Sequence, residues 1–240
     1  MKQGFVKVAS ATPRIRVADP VYNAQVICEQ AKEAAEHGAK IVVFPELCIT
    51  GYTCNDLFLQ ELLLEKAKEA LLTIAEETGQ LETLFLVGLP VDKDGRLYNV
   101  AAVLYRGRIL GMIPKKNIPM YAEFYEGRHF TPGEETVTEY RLGKQVIPFG
   151  SNLLFRCEEL PELILGCELC EDLWVAEPPS TSHALMGATV IANLSASNET
   201  VSKDDYRTLL IKASSARLLC GYIYTSAGEG ESTQDLVFGG

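Results

Sequence analysis

Residues 39–46 read AKIVVFPE. The run Ile41–Phe44 is apolar without interruption, and too short for a helix. A strand with one wet face would alternate apolar with polar. A continuous run predicts a strand covered on both faces, as in the sheets of α/β proteins. It leaves through Pro45 and releases a carboxylate, Glu46, at its carboxyl end.

The same grammar repeats outward from this strand. Upstream, FVKVASATP (5–13) reads as a short strand and VYNAQVICEQAKEAAEHG (21–38) as a helix stopped by Gly38. Downstream, DLFLQELLLEKAKEALLTIAEETG (56–79) predicts a long amphipathic helix ending at Gly79, and LETLFLVGLPV (81–91) a buried strand. RLYNVAAVLYRGRILGMIPK (96–115) predicts two strands joined by a tight Arg106-Gly107 turn. The segment from Lys116 to about Gly150, rich in Pro, Gly and charge, reads mainly as a surface excursion. NLLFRCEELPELILGCELC (152–170) supplies two more strands, STSHALMGA (180–188) a short helix and ATVIANLSA (188–196) a buried strand. DDYRTLLIKASSARLLCG (204–221) predicts a helix stopped by Gly221, YIYTSA (222–227) a last buried strand, and DLVFGG (235–240) the start of another. The alternation predicts an α/β fold with a central pair of sheets covered by helices. DLVFGG stopping mid-pattern is read as the front part of a longer protein.

The chain has 240 residues, 47% hydrophobic and 22% charged, enough for one large domain with a sizeable core. Its formal net charge of −10 argues against nucleic acid or an anionic membrane as partner. No apolar run reaches bilayer length, and the first residues lack a signal-peptide core, so a reducing cytoplasm is the default location. Seven cysteines at irregular spacing argue against a disulfide framework. Cys167 and Cys170, in ILGCELCEDLW (164–174), form the one C-x-x-C. Metal pair, redox pair, or a buried thiol beside a reactive one are its three readings. Zinc lacks two further ligands of suitable spacing, and a pair closing a strand late in the chain is misplaced for a thioredoxin-like motif.

Each buried strand delivers a reactive group. IVVF is followed by Glu46, ILGMI by Lys115-Lys116, and LILGCEL by Cys170-Glu171-Asp172. Ligands of α/β proteins bind outside the carboxyl ends of strands. A carboxylate, an ammonium and a thiol together suit thiolate attack on an amide carbonyl. Glu46 would take the thiol proton and return it to the leaving ammonia, then serve as base for thioester hydrolysis. Lys115, with the Glu171 backbone N–H, would stabilise the oxyanion. Taken singly, each residue has a structural alternative: a helix cap, a solvated lysine, a small core cysteine.

The three contexts resemble the motifs of the nitrilase, or carbon–nitrogen hydrolase, superfamily. VVFPELCITGY (42–52) resembles the glutamate motif, with Glu46 as base. RGRILGMIPKKNIPMYAEFYEGRHF (106–130) resembles the lysine motif, in which the lysine lies four before the proline, selecting Lys115 over Lys116. GCELCEDLW (166–174) resembles the cysteine motif, selecting Cys170 as nucleophile and leaving Cys167 to the core. The resemblance spans nearly the whole chain and implies an α-β-β-α sandwich, helices covering two packed sheets.

The flanks GYTCNDLFLQ (51–60), IPMYAEFYEGRHF (118–130) and NLSASNETVSKDDYR (193–207) are similar to the amidotransferase domains of the glutamine-dependent NAD+ synthetase family. That resemblance implies one glutaminase domain over residues 1–240, with L-glutamine as substrate. It implies a C-terminal synthetase domain outside this chain as partner, where ATP, magnesium and deamido-NAD+ would act. The amide chemistry itself requires no cofactor or metal, and superfamily members commonly form homo-oligomers. By the same resemblance Tyr121, Ser197 and Lys203 hold the glutamine α-amino and α-carboxylate groups. Glu123, eight after Lys115, matches the superfamily's second glutamate, which helps position the substrate; Glu171 adds to the substrate site, and Tyr52 and Phe130 wall it. Some relatives carry arginine at the position of Lys203, and lysine lacks arginine's bidentate fork. A zwitterionic substrate calls for a carboxylate, a cation and hydroxyls, which SASNETVSKDD (195–205) offers just after a buried strand. Two other readings stay open: a stand-alone amidase, carbamoylase or nitrilase of the superfamily, and a non-catalytic assembly scaffold.

Overall fold

The computed structural model describes residues 4–231 and 235–240. The stretch AKIVVFPE forms β2 (Ile41–Val43), fully buried. Its neighbours are β1 (Val8–Ser10), β3 (Leu84–Lys93), β4 (Arg96–Tyr105), β5 (Arg108–Pro114), β6 (Thr138–Leu142) and β7 (Gln145–Phe149). They form a seven-stranded sheet in the order β1-β2-β3-β4-β5-β7-β6. The second sheet, β11-β10-β9-β8, comprises β8 (Phe155–Arg156), β9 (Ile164–Leu169), β10 (Val190–Leu194) and β11 (Gly221–Thr225).

The unbroken apolar run in β2 has its reason in the layers. Ile41 and Val43 point between the sheets and pack with Leu86, Ala101, Val103, Leu165, Cys167 and Leu194. Val42 and Phe44 point the other way, onto α1 (Pro20–Glu36) and α2 (Glu61–Glu77), against Ile27, Ala31, Leu71 and Ile74. Two helices, α3 (Pro179–Leu185) and α4 (Lys203–Leu218), lie on the second sheet, contacting β9 and β11 respectively. The molecule is the expected α-β-β-α sandwich. Among the described residues no helix is long and apolar enough to cross a membrane.

Local signals mostly set the element ends. Asp19 caps α1 by accepting the Tyr22 N–H at 3.1 Å. Arg106 and Gly107 both take positive φ in the β4–β5 turn, as a type I′ hairpin requires. Three expectations need correction. The helix expected from Asp56 starts at Glu61; before it runs a kinked 3-10 segment, Tyr52–Leu59, broken at Asn55, whose φ is 50°. Apolar spacing does not register such a break. The segment after Lys116 is not all excursion, because residues 138–149 form the β6–β7 hairpin that extends the first sheet beside β5. Their alternating burial is carried by Tyr140, Leu142, Ile147 and Phe149, spaced two apart within a charged context. Last, α4 ends at a left-handed Leu219, and Gly221 opens β11 instead of stopping the helix. DLVFGG contributes an isolated bridge, Phe238 to Asn198.

Candidate active site

Glu46, Lys115 and Cys170 follow β2, β5 and β9, and the sandwich brings these strand ends together. Glu46 and Lys115 are completely buried and Cys170 is 7% exposed. The turn carrying Glu46 presses on β3 at Gly88, where any Cβ would run into the backbone of Pro45–Leu47. Glu46 Oε1 accepts from Lys115 Nζ at 2.7 Å and from Asn99 Nδ2 at 2.7 Å; Oε2 accepts the Ala196 N–H at 2.9 Å. Both oxygens are thus held, one by the first sheet and one by the segment leaving β10.

Lys115 Nζ also donates to Glu126 Oε1 at 2.6 Å, and Tyr52 Oη donates to the same oxygen at 2.9 Å. Burial alone would drive the Lys115 pKa down. The charges of Glu126 and Glu46 override it, and the net shift is well upward. Lys115 is therefore a permanent cation, unsuited to act as a base and suited to face developing negative charge. Glu126 is pushed up, first by burial, while Lys115 pulls it back.

Cys170 opens a 3-10 turn, Cys170–Leu173, with φ of 39°. A non-glycine residue in the left-handed region is strained, and such strain concentrates where a side chain must be presented. Burial, then Glu46, pushes the thiol well up, opposed by Lys115. At neutral pH the sulfur rests as a thiol and needs a base to become a nucleophile. Cys167 faces the inter-sheet core.

The residues expected to bind substrate divide into two groups. Tyr121 Oη donates to Glu171 Oε2 at 2.9 Å, and Lys203 Nζ donates to Asn198 Oδ1 at 2.5 Å. Lys203 also sits 5.3 Å from the Phe124 ring centre and 5.6 Å from that of Trp174. Tyr121 and Lys203 both lie within electrostatic range of Cys170. Burial pulls the Lys203 pKa down. Ser197 is buried, and its Oγ accepts from Arg207 Nη1 at 3.4 Å. Glu123 belongs with this group through Asn198 Nδ2, which donates to it at 2.5 Å. Phe130 instead packs on Phe58 at 5.0 Å. With Tyr52, Glu123 and Glu126 it lines a cavity of about 360 Å³ beside the buried cluster.

The carboxylate on the Lys115 ammonium is Glu126, eleven residues on, whereas Glu123 accepts from Asn198 Nδ2. Both acids lie in AEFYEGRH, where the chain is irregular apart from a short 3-10 turn at Glu126–Arg128, so counting along the sequence cannot choose between them. Asn99 and Asp172 also escaped the sequence reading. Asn99 had a signal, as the one amide in the apolar run YNVAAVLY (98–105) of a buried strand.

A two-sheet sandwich with a buried carboxylate–ammonium pair and a strained thiol at its strand ends defines a class: α-β-β-α proteins that gather a carboxylate, an ammonium and a cysteine in one site. The chain belongs to the carbon–nitrogen hydrolase family, whose pattern it matches over residues 7–234. It is 43% identical over 239 residues to a glutamine-dependent NAD(+) synthetase of Mycobacterium tuberculosis, covering 100% of this chain and 35% of that protein. With the protein of the same description from Thermotoga maritima the identity is 33% over 243 residues, covering 100% and 38%. The chain thus spans little more than a third of the length of these relatives. The crystal structure of a glutamine-dependent NAD(+) synthetase from Cytophaga hutchinsonii superposes with a TM-score of 0.82 at 29% identity, covering 93% of this chain and 37% of that one. An amidase from Nesterenkonia sp. shares the fold, with a TM-score of 0.72 at 20% identity over 99% of this chain and 81% of the other.

Proposed function

We propose that this chain is the glutamine-hydrolysing part of a glutamine-dependent NAD+ synthetase. The observation that carries the chemistry is the buried Lys115–Glu46 pair, 2.7 Å apart, facing the Cys170 thiol. Glu46 takes the thiol proton, and sulfur attacks the side-chain carbonyl carbon of L-glutamine. The oxyanion forms beside the Lys115 ammonium. The C–N bond then breaks, and ammonia leaves with the proton returned by Glu46. Water, deprotonated by Glu46, hydrolyses the thioester and releases glutamate. Glu126, itself held by the Tyr52 hydroxyl, is the second carboxylate that fixes the Lys115 ammonium.

The choice of glutamine over a neutral amide is supported by the polar ring of Tyr121, Glu171, Glu123, Ser197 and Lys203. Its cation and carboxylates complement a zwitterionic amino acid end. Ammonia would pass to a synthetase portion of the same polypeptide, which uses ATP and magnesium to amidate deamido-NAD+. Cytoplasmic residence and self-association belong to the same reading.

The test is glutamine turnover by the purified chain, read as glutamate and ammonia released. Cys170→Ala, with its circular dichroism unchanged, should lower the rate by about 10³-fold or more. Undiminished turnover in that variant removes the mechanism. Clear preference for a neutral amide or nitrile in a substrate panel replaces glutamine by the stand-alone amidase reading. Failure of Cys170 to react with an electrophilic glutamine analogue, followed by intact mass, would favour a scaffold.

A further inference from the structure

Asp172 lies two residues beyond Cys170 and is 1% exposed. Its Oδ2 accepts the N–H of Leu169, the residue before the thiol, at 3.0 Å. Its Oδ1 accepts the backbone N–H and the Nδ2 of Asn117, both at 2.8 Å, and the Lys116 N–H reaches Oδ2 at 3.5 Å. One carboxylate therefore grips the chain immediately before Cys170 and immediately after Lys115. Burial pushes the Asp172 pKa up, while these donors and the Lys115 charge pull it down.

The two gripped segments come from different sheets. Lys115 follows β5 of the seven-stranded sheet and Cys170 follows β9 of the four-stranded one, so no ladder of backbone bonds sets their separation. Apolar packing between the sheets is non-directional and tolerates small slides. Among the described residues, the hydrogen bonds joining 115–117 to 169–172 all end on Asp172. The bracket also spans the strained left-handed Cys170, which needs support on both sides.

We propose that Asp172 is a positioning residue: it holds the Cys170 thiol and the Lys115 ammonium in register across the two sheets. This rests on the reading of Cys170 as nucleophile. The hydrogen bonds of Asp172 go to the backbone N–H groups of Leu169, Lys116 and Asn117 and to Asn117 Nδ2. Asp172 acts through Leu169 on one side and Lys116-Asn117 on the other.

The charged and titratable groups that face Cys170 are Glu46, Lys115, Glu126, Tyr52, Tyr121, Lys203 and Tyr224. Lys115 is the cation that chiefly draws its pKa down. The experiment uses the chain with Asp172→Asn and, separately, Asn117→Ala. Alkylation of Cys170 by iodoacetamide is followed by peptide mass across the neutral-to-alkaline range, and glutamine turnover is expressed per alkylatable Cys170. In Asp172→Asn, kcat per site should fall about 10²-fold with KM within about twofold, the scale expected for a displacement near 1 Å. The pH midpoint of alkylation should move up, and the rate near neutrality should fall about tenfold. Asn117→Ala, which removes one donor and no charge, should shift both in the same direction by less.

An unchanged kcat and midpoint in both variants overturns the proposal. So does a downward midpoint in Asp172→Asn, which loss of one negative charge alone would produce. If Asp172→Asn does not fold, the partly exposed Asn117→Ala decides by the same two readouts. A folded wild-type chain that neither turns over glutamine nor alkylates at Cys170 defeats the functional reading and this role together. An active wild type with unaffected variants defeats this role alone.

Discussion

At the residue scale the site is an unequal charge set: two buried carboxylates share one ammonium. Removing the ammonium should therefore hurt in two ways. Lys115→Met strands Glu46 and Glu126 in the core, and breaking a buried pair costs about 3–5 kcal/mol. It also removes the oxyanion partner, typically worth about 10²–10³ in rate. Urea denaturation and glutamine turnover should show both losses. The two nearby acids should separate kinetically. Glu126→Gln loosens Lys115 and should lower kcat about 10–100-fold with little change in KM. Glu123→Gln touches the ring around the thiol through Asn198 and should act mainly on KM. Reversal of that order would make Glu123 the acid that supports Lys115. Much of this scale was legible in advance. Glu46, Lys115 and Cys170 stood out because each ends an apolar run with a reactive group. Glu126 and Asp172 did not, since their meaning lies in which distant groups they meet.

At the element scale, strand ends and turns do the placing. The Glu46 turn lies against β3 at Gly88 with no room for a methyl group. Gly88→Ala should destabilise the chain by about 1–3 kcal/mol or more, because the clash is with backbone that cannot rotate away. Thermal melting checks this, and wild-type stability would show that the turn yields. At α2 the entry is under-capped: Gln60 sits in extended geometry at the cap position with no side-chain bond to the helix. Gln60→Asp should stabilise by about 0.5–1 kcal/mol in the same assay. Elements with strong periodicity, α1, β2 to β5 and β9 to β11, were readable from sequence alone. The β6–β7 hairpin was not, because strands of five residues among Pro, Gly and charge differ little from loop until a neighbouring strand edge is present. The 3-10 stretch ahead of Glu61 was hidden because the apolar residues Leu57 to Leu59 run on into the pattern of α2.

At the scale of the whole molecule, two buried carboxylates outside the Lys115 pair set a pH dependence. Glu168 and Glu231 are each pushed up to about 7 from an ordinary value of 4.5, mainly by burial. Tyr222, Asn193 and Ser180 surround Glu168, and Thr53 donates to Glu231. A carboxyl whose folded pKa is raised contributes stability that is complete below the unfolded value. That stability is lost as pH rises through the folded one. Each shift corresponds to roughly 3 kcal/mol at most. Thermal stability should therefore fall between about pH 5 and about pH 8, and the double variant Glu168→Gln/Glu231→Gln should flatten that slope. An unchanged slope would mean that both groups are already ionised in the fold.

The sequence by itself determined the layers and the chemistry on offer. Unbroken apolar strands demand cover on both faces, and the residues released at their ends are a base, a cation and a thiol. Those are properties of single segments, set by apolar periodicity and by the side chain at which it stops. Only the tertiary structure decided which carboxylate meets Lys115, that Asn99 and the Ala196 N–H grip Glu46, and that Asp172 ties one sheet to the other. These contacts join positions from 11 to 150 residues apart. The Ala196 and Asp172 contacts depend on the two sheets docking, and no local pattern in the chain encodes that.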